Sequence, residues 1–491
     1  MGPIFKARNN CLPLSADDDK DRQPLWGAGP TIFVCPSLKA EVAHLLGNWE
    51  AFRQGRFQID CCHMELASPR WVYRGPGQIS QDAHGTLTFK VHCPSEPANS
   101  LGETLRRVSR ARAGKLTDEA DLFALTATAY NGAVWRSDGI SPEPNHYLTT
   151  GSTIVSGKLS RLRQERENSR KLGSEVKLTF FGQDLRDWEA LYTEEVTFGA
   201  PYTGYTMRCA AGNEGDVSVS IRTPVTFPEN FWFRASEALS FVLAKVLRAS
   251  VIEQVHSGKR VVTLYSPVPR SRTRQFPPIR TDWRKNHAEV ARMLERYLQF
   301  VQNSELKDFW HPCSAHLSHA CEASANSFDA WAVGLCVAFE GIAGLVPHEK
   351  SFEQTQAISE IKRVAKTWVK RRAYPTDLQA RVSGLLGQLD QARVKDRLRP
   401  LIDGGYFDPK HLRSWEGLRH KRVHGAKFQV SDFDDPEIQK VLDAIFSSQV
   451  GMYQIIFFLI GYQGLYSGYS KAEDNFAFGT YPLRTDAPRP G

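Results

Sequence analysis

The sequence lacks an apolar run that would sit comfortably in a bilayer. Its longest, Val450–Tyr466, carries Gln454, Gln463 and three glycines, whereas a spanning helix needs about 20 apolar residues. A buried core helix is expected there, and no membrane partner. No apolar stretch follows the charges of the opening residues, so no secretory leader is expected. Lys6 breaks the pattern that would follow a myristoylated Gly2. Cysteine is sparse: nine in 491 residues, an odd number in no framework spacing. That excludes a disulfide-stapled scaffold and predicts reduced thiols in a cytoplasmic protein. Also missing are the phosphate-cradling GxxxxGKS/T loop, a GxGxxG opening a helix, the GxSxG nucleophile elbow and the HExxH helix. ATP-driven, dinucleotide, serine-hydrolase and zinc-protease chemistries lose their usual signatures with them. There is no internal repeat. With 41% hydrophobic and 24% charged residues, the chain has the composition of a globular protein rather than a disordered one.

What is present divides into two styles. At roughly 150 residues per domain the length allows about three units. After a tail, 1–30, residues 31–266 read as strand and turn with a late helix. Leu87, Phe89, Val91 and Cys93 alternate on one face, the period of a half-buried strand. Asn131-Gly132 marks a hairpin, and Gly212-Asn-Glu-Gly215 followed by Val217, Val219 and Ile221 marks another. The polar basic segments Arg106–Lys115 and Arg161–Lys171 read as solvated loops or short helices. Residues 267–282 form a proline- and arginine-rich connector that composition keeps extended. From 283 to 470 the pattern is helical, as in the stripe Val290, Leu294, Tyr297, Leu298, Val301. Further helices are expected at Phe328–Leu345, Phe352–Arg372, Asp377–Arg399 and Pro409–Val423, and from Asp435-Pro436 onward. A tail, 471–491, closes the chain. The fold class is α+β and multidomain: a β-rich, sandwich-like N-terminal half followed by an all-α helical bundle.

The charge is concentrated. The chain carries +8, while the window Ser351–Val430 holds seventeen lysines and arginines against eight acids, a local +9. An anionic partner such as RNA fits such a window, and so does a plain solvated basic surface. Within it Lys362, Lys366 and Lys370 are four residues apart and share a helix face that could track phosphates.

The sharpest motif is Arg419-His420-Lys421-Arg422-Val423-His424-Gly425, which contains Arg-x4-His. A histidine titrates near neutrality, so His424 can pass a proton. An arginine beside it can neutralise charge growing on phosphate oxygens. On a straight helix five residues turn the side chains about 140° apart. They converge only if the helix ends near His424, as Gly425 suggests, or if two subunits each contribute one motif.

This motif, in a basic window of an all-helical region, resembles the signature of the HEPN superfamily, with His420 in the polar place after the arginine. Val337-Ala-Phe-Glu-Gly-Ile-Ala-Gly-Leu345 resembles the family's glutamate-bearing helix, with Glu340 as the inward acid. Phe458-Leu-Ile-Gly-Tyr-Gln-Gly-Leu-Tyr466 is similar to the last helix of the Apea-like branch. Gly77–Phe89 looks like the start of that branch's N-terminal domain. The resemblance implies a metal-independent endoribonuclease with no cofactor, in which the RNA 2′-hydroxyl attacks the adjacent phosphate. His424 would transfer protons, Arg419 would hold the phosphate, and Glu340 would orient one of them. His420, Lys421 and Arg422, with the three lysines, would bind substrate. It further implies a homodimer or higher homo-oligomer, a role in abortive-infection defence against phage, and a phage-derived trigger. The alternative is a non-catalytic HEPN-fold module that binds RNA or protein.

A second constellation is His311, Cys313, His316, His319 and Cys321. These are zinc-ligand types in a spacing that matches no known zinc pattern, so they stand only as weak metal candidates. Cys61-Cys62-His63 with His92-Cys93 is looser still.

Overall fold

The computed structural model describes residues 50–94, 121–147, 152–167, 173–192, 195–199, 202–212, 215–256, 258–267, 273–280, 286–306, 309–372, 374–420, 436–469 and 478–483. Residues 52–491 fall in one compact unit. It has mixed α+β architecture, with a large antiparallel sheet followed by a helical region.

Fourteen strands make the sheet: β1 (Gln58–Ala67), β2 (Val72–Gln81), β3 (Leu87–Cys93), β4 (Phe123–Ala129), β5 (Val134–Ile140), β6 (Glu143–Tyr147), β7 (Ser152–Leu159), β8 (Arg161–Glu167), β9 (Ser174–Phe180), β10 (Val196–Thr197), β11 (Thr206–Ala211), β12 (Val217–Thr223), β13 (Val251–His256) and β14 (Lys259–Tyr265). Their order is β10-β11-β12-β9-β13-β14-β8-β5-β4-β1-β2-β3-β7-β6. A sandwich would show two separate ladders; this ladder is continuous. It nevertheless curls. β7 and β8 lie six steps apart in the order, about 29 Å across a flat sheet at ~4.8 Å per step. Only Ser160 joins them, so the strands between must bend round to bring β7 back beside β8. Ser266 closes the seam: its Oγ donates to the Leu159 carbonyl (2.6 Å) and accepts from the Leu87 amide (2.9 Å), and its amide donates to the Ser160 carbonyl (3.1 Å).

The alternation read from the sequence is the alternation observed. On β3, Leu87, Phe89, Val91 and Cys93 are buried and the residues between them are not. The Asn131-Gly132 turn joins β4 to β5, with Gly132 at φ 81°, a conformation glycine enters without a steric penalty. Val217, Val219 and Ile221 are buried on β12. Arg161–Glu167 departs from expectation. It is strand β8, with Leu162 and Gln164 buried, rather than a loop or short helix. Five of its seven residues are charged, which hid a strand that buries only its even positions.

The helices are α1 (Phe231–Leu243), α2 (His287–Gln302), α3 (Pro312–Ser324), α4 (Phe328–Ala343), α5 (Phe352–Arg371), α6 (Thr376–Gln388), α7 (Val394–Asp403), α8 (Pro409–Leu418) and α9 (Pro436–Leu459). The single helix expected over 377–399 is two, α6 and α7, broken by a turn at Leu389–Asp390 whose carbonyls both accept from Lys350 Nζ (3.1 and 2.6 Å). α9 contains Ile438–Leu459, long and apolar enough to cross a membrane, yet most of it is buried inside the protein. It is a core helix, in which Gln454 is satisfied by the Asp408 amide (3.0 Å) and Tyr466 Oη (3.3 Å). The stretch Phe458–Tyr466 is not one helix. α9 stops at Leu459, Gly461 takes φ 62°, and β15 (Gly464–Ser467) follows. β15 pairs with β16 (Phe478–Tyr481), which lies within the expected C-terminal tail; Tyr481 is buried against Tyr406 and Phe457.

One buried cluster runs from Val176, Leu178 and Val219 of the sheet through α1 to Tyr297, Phe339, Trp415 and Ile456. The Phe241 ring stacks on Tyr297 at 4.2 Å. From the connector, the Phe276 carbonyl accepts from Tyr453 Oη and Gln449 Nε2 (both 2.6 Å), and its ring stacks on Tyr469.

Candidate functional site

The site grows from the contact of α4 with α8. α4 starts with Ser327 capping the Ala330 amide (3.1 Å), and α8 with Asp408 capping Lys410 and Pro409 at the first position. The Trp415 ring stacks on Phe339 (5.2 Å), and its Nε1 donates to the Cys336 carbonyl (3.2 Å). A buried indole N–H satisfied in this way fixes the rotation of α8 against α4. Close approach of α9 fixes it from the other side. A Cβ on Gly451 would sit 2.6 Å from that of His411, so only glycine fits there.

One turn beyond the Cys336–Trp415 contact lie Glu340 and Arg419. Arg419 keeps helical backbone angles (φ −58°, ψ −49°). Its Nη2 lies 3.4 Å from Glu340 Oε1, and its guanidinium sits 5.5 Å from the centre of the Trp415 ring. The two side chains are 41% and 48% exposed, so the pair is solvent-screened and contributes little to stability. What it provides is an arginine held beside a carboxylate and an indole at an open surface. Glu340 faces the surface rather than inward, in line with the exposed Val333 and Val337 of the same helix. Trp415 went unremarked in the sequence. Its signal was its place four residues before Arg419, one turn away on the same face.

His420 is described and lies next to Arg419; Lys421, Arg422 and His424 lie outside the described residues.

The three lysines are on α5, but in different settings. Lys362 is largely covered and ion-paired with Asp390, while Lys366 and Lys370 are exposed. α5 and α6 form a hairpin that buries Val369 alone of its two helices. It leaves Ile361, Val364 and Trp368 in solvent, Trp368 being 51% exposed with Tyr374 beside it (5.3 Å). Trp368 is thus not the core residue that an isolated helical aromatic usually is.

The zinc candidates are not brought together. Among the described residues no three His, Cys, Asp or Glu side chains form a group that could hold a metal. His311 caps α3, its Nδ1 accepting from the Cys313 amide (3.1 Å), and burial pulls its pKa down to about 4. Cys313 and Cys321 are buried, and burial pushes both thiols up to about 12. Cys321 Sγ instead donates to Gln275 Oε1 (2.9 Å). His316 packs against Gly341, where a Cβ would lie 2.2 Å from the ring. The described cysteines, including Cys61, Cys62 and Cys93, are all free thiols.

Comparison with protein-family models, curated proteins and solved structures finds no match for this chain.

Proposed function

We propose that the protein is a metal-independent endoribonuclease of the HEPN type, whose helical region is the HEPN bundle. It would act in the cytoplasm as an effector of abortive-infection defence against phage, released by a phage-derived trigger sensed by the β-rich half. The observation that carries the reading is the Arg419–Glu340 pair. Two residues 79 positions apart in the chain, picked out by their resemblance to one signature, meet at 3.4 Å on an open surface. In the proposed reaction the RNA 2′-hydroxyl loses its proton to a base and its oxygen attacks the adjacent phosphorus. The bond to the 5′-oxygen breaks, and that oxygen takes up a proton. The products are a 2′,3′-cyclic phosphate and a 5′-hydroxyl. His424 handles the protons, Arg419 neutralises the phosphoryl oxygens, and Glu340 aims the guanidinium. A homodimer would place two such motifs around one cleft, and the exposed Val333 and Val337 beside Glu340 offer an apolar face for the second copy. His420, Lys421, Arg422, Lys366 and Lys370 would contact the RNA backbone.

The alternative, a non-catalytic HEPN-fold module, draws on the α5–α6 hairpin. Its exposed lysines and Trp368 make a face that could hold an unpaired strand without any turnover.

The two readings separate in one experiment. Purified protein, His424→Ala and Arg419→Ala are incubated with total bacterial RNA in EDTA, with and without phage-infected extract, and fragment ends are mapped. The nuclease leaves cyclic-phosphate and 5′-hydroxyl ends and loses about 100-fold or more of its rate in either variant. Equal cleavage by all three proteins removes the motif from the mechanism. Binding without new ends, in extract as well as buffer, selects the module.

A further inference from the structure

A cavity of about 870 Å³ opens on the sheet, far along the chain from Arg419. Its floor is a row of residues set by strand register: Thr126 on β4 faces Arg136 on β5, which faces Arg163 on β8, then Thr263 on β14 and Ile252 on β13. All five line the cavity. The segment entering α1 and its first turn, including Phe227 and Trp232, also line the cavity. Trp232 and Tyr265, both half-buried, stand with ring centres 6.1 Å apart.

The charges on this floor do not balance. Like charges directly opposite on neighbouring strands destabilise a sheet, and Arg136 and Arg163 are such a pair in the short contact where the two halves of the sheet join. Four acids also line the cavity, Asp138, Glu165, Glu175 and Glu229, and three of them have a cation of their own. Asp138 is held by Arg161 through two bonds (2.9 and 2.7 Å), Glu175 by Arg222 (3.1 Å) and Glu165 by Lys259 (2.7 Å). Arg163 reaches that same Glu165, at 3.5 Å, and its charge also acts on Asp138. Arg136, exposed on β5, also acts by charge on Glu165. Two adjacent guanidiniums that share one carboxylate, Glu165, already held by Lys259, make a phosphate-binding arrangement. The start of a 13-residue helix in the lining adds its positive end. The half-buried aromatic pair supplies a surface for a flat ring. The volume is that of a small-molecule site, not of a groove tracking a strand.

We propose that this cavity binds a nucleotide, with Arg136 and Arg163 on its phosphate and Trp232 and Tyr265 against its base. The assignment does not rest on the nuclease reading. It gives the β-rich half a small-molecule ligand of its own.

The test is calorimetric titration of the full-length protein with the four ribonucleoside monophosphates, the four triphosphates and inorganic pyrophosphate. At least one nucleotide should bind, and its affinity should fall about tenfold or more in Arg136→Gln and in Arg163→Gln. Arg136→Lys, which keeps the charge and loses the fork, should fall between. Both Gln variants should melt like wild type when ligand-free, because both side chains are exposed. Binding of no nucleotide, or binding indifferent to both Gln substitutions, overturns the proposal. So does pyrophosphate bound as tightly as the best nucleotide, since the base would then contribute nothing.

Discussion

At the scale of single residues, burial decides which histidines and cysteines can do chemistry. His411 on α8 is buried, its Nδ1 2.9 Å from Ser447 Oγ, and burial pulls its pKa down to about 3 despite Asp408 nearby, with Lys410 acting in the same sense as burial. Neutral in the fold, it is protonated in the unfolded chain below about pH 6.5. The unfolded state then binds the extra proton, so stability should fall as pH drops from about 6.5 toward 3. His411→Asn, which cannot be protonated, should flatten the dependence of melting temperature on pH between about 4 and 6. A slope identical to wild type would remove His411 as its source. The same accounting explains what the sequence could and could not disclose here. The residue types at Arg419 and Glu340 were legible because a motif ties them to a chemistry. That the histidines and cysteines between 311 and 321 fail to converge was not legible, because a helix start, two buried thiols and a ring against Gly341 send four of the five side chains elsewhere.

At the scale of elements, local periodicity shows that a helix forms but not what covers it. α5 was readable over nearly its whole length, and its Ile361, Val364 and Trp368 fall at helical steps that ordinarily mark a core face. That face is in solvent, because the hairpin partner α6 buries none of its own residues. Strand β8 shows the converse: charge density concealed an element that register and two buried positions establish. An exposed hairpin carrying exposed lysines should act on a polyanion by charge rather than by shape. Lys366→Glu with Lys370→Glu should therefore weaken binding to single-stranded RNA. It should also reduce the slope of log affinity against log salt by about 0.7 per lost phosphate contact. Folding stability should change by no more than about 0.5 kcal/mol. Filter binding across a salt series, beside chemical denaturation, reads both quantities. An unchanged slope would mean that the hairpin does not meet the RNA.

At the scale of the whole molecule, the change from strand to helix in the sequence is not accompanied by a change of core. Composition placed a connector at 267–282, and composition alone could not show its carbonyl at Phe276 tied to Tyr453 and Gln449, or Ile279 buried. α1 carries much of this continuity. Its first turn lines the cavity on the sheet, and Phe241 near its other end stacks on Tyr297 among the helices. Between them Arg234 and Glu237 form a buried pair at 2.7 Å. Glu237 also accepts from the His311 amide (2.7 Å) and Arg234 donates to the Phe309 carbonyl (3.2 Å). Burial raises the Glu237 pKa and the arginine beside it opposes the rise. A helix seated in both regions should transmit damage to both. Phe241→Ala removes a buried, stacked ring, a change that costs about 3–5 kcal/mol. Hydrogen-exchange protection of amides in the sheet and of amides in the helices should then be lost together at lower denaturant. If only the helical signal shifts, the two regions unfold independently and the shared core does not couple them. If both shift by the same amount, a nucleotide bound at the cavity also stabilises the helices that hold Arg419, because binding to the folded state stabilises everything that unfolds with it.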